Sequence, residues 1–328
     1  MKRSPVCLDL RNGQIRPVNA PPTPTVLCLG NFDGVHLAHA ALLRAGRKLA
    51  HDLSAADAAI PSVLCGVFCF ISPSGDYFLN ENTRPTHLTT LKERLNALQA
   101  LKADVVWLCE FPSVRDLSPA AFIDLLQNHC GCIGVACGYN HRFGKAAQGS
   151  PERLIEAFGA DRTVVLPALE IDGLPVSSSR IRACLLAGDA ETAERLLGHP
   201  YTLDATVVHG KSLGHTWGFP TANQYFPTDR LIPAHGVYAV LCHTSDGIYP
   251  GVANIGLRPT VEDPTRVNCE THIIGFAGDL YGRPLKVEFL KFIRPEQKFE
   301  SVEALTAAIR RDTAFAAAHV ASLGICSD

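Results

Sequence analysis

The stretch TVLCLGNFDGVHLAHAALL, Thr25 to Leu43, decides the fold of the first half of the chain. Its first five residues lie between Pro24 and Gly30, and this bounded apolar run predicts a short buried strand. A turn, GNFDG, follows. From Val35 to Ala50 apolar residues recur at helical spacing, which predicts a helix. A strand that turns directly into a helix leaves the helix's first N–H groups without intrahelical partners. The helix dipole adds about half a positive charge at that end, so the terminus is suited to an anion. His36 and His39 stand three apart and share one face of the helix. Three readings are open for the pair: contact with phosphate, a metal site, or a plain surface helix. The zincin helix needs two histidines four apart with a Glu after the first, and this stretch has neither feature.

The same rhythm continues. SVLCGVFCF (Ser62 to Phe70), ADVVWLCEF and CIGVACG are further apolar runs, each the length of a buried strand. Helical runs alternate with them. One covers Thr90 to Lys102, with Leu91, Leu95, Leu98 and Leu101 on one face. Another is SPAAFIDLLQNH, with Ser118 as N-cap and Pro119 at the first helical position. Alternating strands and helices predict a Rossmann-like parallel sheet with helices on both faces. Ligands of such sheets bind outside the carboxyl ends of the strands. After Leu197 the pattern changes. TLDATVVHG, GVYAVLCHT, YPGVANIG, VNCETHIIGF and PLKVEFLKFI are short strand-like runs separated by Gly, Pro and Asp. They predict an antiparallel β-barrel. SVEALTAAIRRDTAFAAAHVASL reads as one closing amphipathic helix capped by Ser301. The expected organisation is an α/β domain over 1–185, a linker helix over 186–199 containing DAETAERLL, and a barrel domain over 200–328.

Composition agrees with two folded domains: 328 residues, 47% hydrophobic and 19% charged. A net charge of −2 argues against a non-specific nucleic-acid binder, which needs a basic surface. No run approaches the roughly 18 apolar residues of a membrane span. A cytoplasmic protein is expected, with its 12 cysteines reduced. Cys65, Cys69 and Cys109 lie inside apolar runs, where Cys acts as a small hydrophobe. Cys130 and Cys132, with Cys137 close by, lack the spacing of a zinc finger.

Four further stretches carry candidate chemistry. GYNHRFGKAAQGS, Gly138 to Ser150, follows a strand and mixes Gly with Arg142 and Lys145. In DGLPVSSSRIRACLL, Asp172-Gly173 is a hairpin-type turn. Its Ser177, Ser178 and Ser179 precede a helical run bracketed by Arg180 and Arg182. Cap hydroxyls, free N–H groups and arginines make a second anion site, against simple capping as the plain alternative. HGKSLGHTWGFPTANQYFP begins like half of a Walker loop, but Ala205 stands where the pattern needs Gly. Gly214, Gly218 and Pro220 also break the helix that must follow. A P-loop is therefore excluded. A glycine arch through Gly210, Lys211, Gly214 and Gly218 can still wrap phosphates with N–H groups. Thr221 and Asn223 offer neutral oxygens that suit Mg²⁺. In RVNCETHIIGF, alternation puts Cys269, Thr271 and Ile273 on one face and Glu270 and His272 on the other. Glu270 is either a general base for a hydroxyl or an exposed carboxylate.

Taken together, these stretches resemble the bacterial bifunctional riboflavin kinases/FAD synthetases from about Thr25 onward. Gly30-Asn31-Phe32-Asp33-Gly34-Val35-His36 through His39 is similar to the family's adenylyltransferase signature. Gly138 to Gly144 resembles its second motif, and Val176 to Arg182 its serine-rich third. Gly218-Phe219-Pro220-Thr221-Ala222-Asn223 resembles the kinase signature. Glu270 and Ile293-Arg294-Pro295-Glu296-Gln297-Lys298-Phe299 resemble the rest of that module. Ala38 stands where the family usually has Gly, and His141 where an aromatic is usual. The resemblance implies ATP-dependent phosphorylation of riboflavin to FMN in the barrel. It also implies adenylyl transfer from ATP to FMN in the N-terminal domain, giving FAD and pyrophosphate. By the same resemblance Glu270 would be the kinase base, and Thr221 and Asn223 would hold Mg²⁺ and phosphate. His36 and His39 would stabilise the ATP phosphates, beside Gly30, Asn31, Phe32, Asp33 and Gly34. Ser178, Ser179 and Arg182 would hold the departing pyrophosphate, and Asn140 and Arg294 would contact flavin. The expected partners are these small molecules, with no nucleic acid and no membrane. Two other readings are a nucleotidyltransferase for a different acceptor, and a chain with one active module and one flavin-binding or regulatory module.

Overall fold

The computed structural model describes residues 5–15, 23–57, 62–72, 87–210, 218–257 and 267–324. It divides into two compact units, Met1–Ser178 and Ser179–Asp328. The first unit carries strands β1 (Val6–Asp9), β2 (Gln14–Ile15), β3 (Thr25–Leu29), β4 (Leu64–Phe70), β5 (Val105–Cys109), β6 (Cys132–Gly138) and β7 (Thr163–Leu166). A small hairpin, β8 (Glu170–Ile171) and β9 (Leu174–Pro175), follows them. Its helices are α1 (Leu37–Ala56), α2 (Leu91–Ala100), α3 (Phe111–Val114), α4 (Pro119–Asp124) and α5 (Pro151–Phe158).

The seven-stranded sheet has the order β2-β1-β5-β4-β3-β6-β7. From β5 to β7 every pairing is parallel. The apolar runs are continuous because both faces are covered. In β3, Leu27 and Leu29 enter one core cluster and Val26 and Cys28 the other.

Several local expectations are corrected. The sheet is not wholly parallel: β1 pairs antiparallel with β5. That strand offers only the three-residue apolar run Val6-Cys7-Leu8, and its register with β5 supplies the pairing. The first helix starts at Leu37 rather than Val35, because Val35 has φ 41° and His36 is the N-cap. On α2, Leu91 and Leu95 are only half-buried; Arg94 and Leu98 are the buried residues. The run after Ser118 is not one regular helix. It begins as α4, with the Ser118 hydroxyl accepting from Ala121 N at 3.2 Å, and widens to π-helical geometry over Leu125–His129.

The second unit contains α6 (Ser178–Leu186), which starts at the division, then α7 (Ala190–Leu197). Its strands are β10 (Tyr201–Thr206), β11 (Ala222–Tyr225), β12 (Gly236–Thr244), β13 (Gly247–Leu257), β14 (Val267–Ile273) and β15 (Pro284–Arg294). A C-terminal helix spans Val302–Ser322. All strand pairings are antiparallel, in the order β10-β15-β12-β13-β14-β11. The two ends of this sheet meet where Val208 N donates to Asn223 O at 2.8 Å. Inside, the buried Gln224 donates Nε2 to the carbonyls of Ala205 and Leu285, each at 2.7 Å. The barrel is thus closed at Asn223, a residue of the candidate kinase signature. Helix α7 packs on β10 and β15.

The C-terminal helix covers β12 and β13, seating Ala316 against Val237, Ala239 and Val252. It is also held by charge. Arg294 donates to Asp312 through Nη2 at 2.8 Å and Nε at 3.1 Å. Its guanidinium lies 5.5 Å from the Phe299 ring. The structure therefore gives Arg294, expected to contact flavin, a tie between β15 and this helix. Arg294→Ala leaves the buried Asp312 carboxylate uncompensated. It should cost about 3 kcal/mol of stability, read as a lower denaturant midpoint for the barrel. If the midpoint stays at the wild-type value, the pair does not hold the helix.

Candidate functional site

In the first unit the strand-turn-helix stretch folds back on itself. Three turn residues take left-handed backbone: Phe32 at φ 53°, Gly34 at φ 81° and Val35 at φ 41°. Only Gly adopts that region at no steric cost, and a β-branched residue there is strained. Strain of this kind persists where surrounding contacts fix it. Here those contacts come from the segment leading into α2. The buried Asp33 carboxylate accepts from Leu88 N at 2.9 Å and Thr89 N at 3.2 Å. Thr89 Oγ1 accepts from Gly34 N at 3.1 Å. Arg94, itself buried, donates to the Asn31 carbonyl at 3.0 Å and to the Ile71 carbonyl. Asp33 is thus a clamp on the turn as well as part of the signature. Thr90 anchors the start of α2 through a capping box with Glu93.

The two histidines meet. Their rings stack with centroids 3.7 Å apart and planes 15° from parallel. Phe32 stacks on the other side of His39 at 4.7 Å. Phe32 is fully buried, so its side chain is the floor of the pair and only its backbone is left for a ligand. Burial, with the charges of His36 and Arg94, pushes the His39 imidazole well below the usual histidine range. His39 is therefore neutral, and Nδ1 is buried with no hydrogen-bond partner among the described residues. His36 caps α1 through its backbone, with no side-chain cap hydrogen bond. The third motif reaches the same turn: Ser178 donates its hydroxyl to the Asp33 carbonyl at 2.9 Å. Ser179 and Arg182 lie on α6, the first exposed and the second half-buried. The Asp172-Gly173 turn has φ 55° and 71° and joins β8 to β9, as its sequence predicts.

Beside the turn, at the carboxyl ends of β3 and β4, is a cavity of about 530 Å³. Gly30 and Asn31 line it, together with the rings of Phe68, Phe70, Phe111 and Phe122. The second motif closes it from the other side with His141 to Lys145. His141 stacks near Phe143 at 5.8 Å, and burial and Arg142 push it down to about 4. It presents a neutral imidazole ring to the cavity. Asn140 is exposed in the turn that precedes it. These phenylalanines line the cavity and were not among the candidates read from the sequence. Phe68, Phe70 and Phe111 stand at the ends of two apolar runs and Phe122 inside the helical run after Ser118, positions that core packing explains equally well.

In the barrel, Asn223 of β11, Glu270 of β14 and Asn254 of β13 stand side by side in register. Thr271 and Cys269 turn inward and are fully buried, whereas Glu270 is half-buried on the other face. Asn268, absent from the sequence reading, donates Nδ2 to Glu270 Oε1 at 2.9 Å. Glu296, from the downstream motif, accepts from Asn254 Nδ2 at 3.1 Å. Gly210 lies so close to Asn223 that a Cβ there would stand 2.5 Å from its amide nitrogen. Thr221 borders a cavity of about 170 Å³, walled by Val207, Phe276, Leu280 and Tyr281. Gly218 precedes it with φ 80°. Lys211 and Gly214 lie outside the described residues.

The eleven described cysteines form no disulfide, and burial pushes Cys132 up to about 12. No group of three or more His, Cys, Asp or Glu that could hold a metal gathers among the described residues. Nor is any described helix long and apolar enough to cross a membrane.

The comparisons with known proteins divide at the same places as the two sites. A family model for FAD synthetase matches residues 18–180, and one for riboflavin kinase matches residues 197–320. A bifunctional riboflavin kinase/FMN adenylyltransferase of Pseudomonas fluorescens is 38% identical over 297 residues, covering 89% of this chain and 92% of its own. The Escherichia coli K12 protein of that description is 38% identical over 300 residues, covering 89% and 92%. Among solved structures, a macrolide-efflux protein from Streptococcus pneumoniae superposes with a TM-score of 0.80 at 26% identity, covering 94% of this chain and 97% of that one. Both family models, and the relatives over nine-tenths of their length, coincide with the two halves built above. The chain belongs to the family of bifunctional riboflavin kinases/FMN adenylyltransferases.

Proposed function

We propose that this protein makes FAD from riboflavin in two ATP-dependent steps, one in each module. The observation that carries the reading is that the FAD synthetase model covers residues 18–180 and the riboflavin kinase model residues 197–320, close to the division into two units after Ser178. The kinase module is assigned to 200–328 and the adenylyltransferase module to 1–185, joined through 186–199. Both act on small molecules in the cytoplasm, without nucleic acid or membrane.

In the barrel, Glu270 takes the proton of the ribityl terminal hydroxyl as that oxygen attacks the γ-phosphorus of ATP. FMN and ADP leave. Phosphoryl transfer asks little covalent chemistry of a protein and depends on positioning and charge neutralisation. The residues fit a magnesium ion carried mainly by the nucleotide: Asn223 and Thr221 offer neutral oxygens at the barrel rim, with the Glu270 carboxylate in register beside Asn223. When bound, the ion would neutralise phosphate charge there. Gly210 and Gly218 flank the stretch that the resemblance assigns to the phosphates, of which residues 211–217 lie outside the described residues.

In the first unit, a phosphate oxygen of FMN attacks the α-phosphorus of ATP, and pyrophosphate leaves. The charge that builds up on the phosphates meets the start of α1 and His36 and His39. Ser178 holds pyrophosphate there; the same role for Ser179 and Arg182, which lie in the second unit, rests on the sequence resemblance alone. The aromatic cavity takes the isoalloxazine ring, whose flat apolar body suits Phe68, Phe70 and Phe122. Asn140, in the turn just before His141, contacts flavin by the sequence resemblance.

Product analysis tests the reading. Riboflavin, ATP and Mg²⁺ should give FMN first and then FAD with pyrophosphate. A barrel that only binds flavin would yield neither product from riboflavin. A nucleotidyltransferase for another acceptor would stop at FMN.

A further inference from the structure

The barrel site holds a residue that neither motif reading singled out. Asn268 is 3% exposed and lies two positions before Glu270 on β14, hence on the same face of the strand. Its Nδ2 is 2.9 Å from Glu270 Oε1 and 3.4 Å from Asn223 Oδ1. A carboxylate accepts and does not donate, so the amide must present its NH₂ group to Glu270. That group carries two hydrogens, and the second points toward the carbonyl oxygen of Asn223. One side chain therefore bridges the carboxylate on β14 and the amide on β11, at the point where Val208 closes the barrel onto Asn223.

We infer that Asn268 is a positioning residue for phosphoryl transfer: its amide fixes the Glu270 carboxylate and the Asn223 amide in one arrangement. The inference rests on the assignment of Glu270 as the kinase base. Hydrogen bonds to a charged group are the stronger kind. A misplacement of about 1 Å in a reacting geometry costs up to about 10²-fold in rate. Asn268 touches neither phosphorus nor hydroxyl in this scheme, so its effect passes through Glu270 and Asn223.

Two variants separate donation from packing. Asn268→Asp keeps the shape and removes the donor, whereas Asn268→Ala removes both. Each should lower kcat for FMN formation about tenfold or more, with KM for riboflavin and ATP near the wild-type value. FAD formation from supplied FMN should be unchanged, which reports an intact fold in the first unit. The thermal midpoint of the barrel reports the rest. Combination with Glu270→Gln is decisive: the share of the effect that passes through Glu270 disappears once that carboxylate is gone, so the two losses should be less than multiplicative. Wild-type kcat in Asn268→Asp would overturn the inference, since packing alone would then suffice. So would independent, multiplicative losses in the double variant. If Glu270→Gln by itself leaves FMN formation intact, the assignment of the base fails first, and that result is distinct from a failure at Asn268.

Discussion

Glu270→Gln is expected to lower FMN formation from riboflavin by about 10²- to 10⁴-fold, while FAD formation from supplied FMN stays at the wild-type rate. Gln keeps the volume and the carbonyl oxygen of Glu, so Asn268 still has an acceptor and the row with Asn223 and Asn254 keeps its packing. What disappears is the group that takes a proton. The residual rate then measures what positioning and phosphate binding supply without a base. The split between the two products matters as much as the size of the loss. The first unit has its own sheet and its own core on both faces of that sheet, so a change on β14 leaves it intact. FMN formation at near the wild-type rate would remove Glu270 as the base. Equal loss of both products would indicate a folding defect.

Much of this architecture is legible because the deciding segments obey one period each. TVLCL and LCGVFCF are buried on both faces, so they read as short unbroken apolar runs. VNCETHI alternates, and its burial follows that alternation at Cys269, Thr271 and Ile273. The parts that escaped are those set by contacts far apart in sequence. Strand β1 forms because β5 offers an open edge. Arg94 reads as one charge on an amphipathic helix, yet it is buried under the Asn31 and Ile71 carbonyls. Arg294 sits in a motif that suggests a ligand, and its partner Asp312 lies 18 residues away on another element. Asn268 looks like any strand residue until Glu270 is seen to face it. Local pattern fixes the elements, whereas the polar contacts that tune the sites depend on how those elements meet.

His36→Ala should give the opposite split: FAD formation lower by about 10²- to 10³-fold, with FMN formation unchanged. The argument rests on the stack. Imidazoles 3.7 Å apart share one environment, and burial together with Arg94 already denies His39 a proton. Of the two rings, His36 is the one at the N-cap of α1, where the helix dipole favours an anion. His39 has a different part, as the neutral ring between Phe32 and His36. That difference gives it a pH signature. The folded protein holds His39 well below its ordinary value of 6.5, whereas the unfolded chain takes up that proton near 6.5. Below that pH the unfolded state binds more protons, so stability falls as the solution is acidified and rises again toward neutrality. His39→Gln should flatten this slope below pH 6.5, read from denaturant midpoints across pH, while His36→Ala lowers FAD formation. If the slope survives in His39→Gln, the His39 ring is not its source. If His39→Gln impairs FAD formation as severely as His36→Ala, the two rings act on phosphate as one unit, and the neutral ring donates its N–H to the phosphate alongside His36.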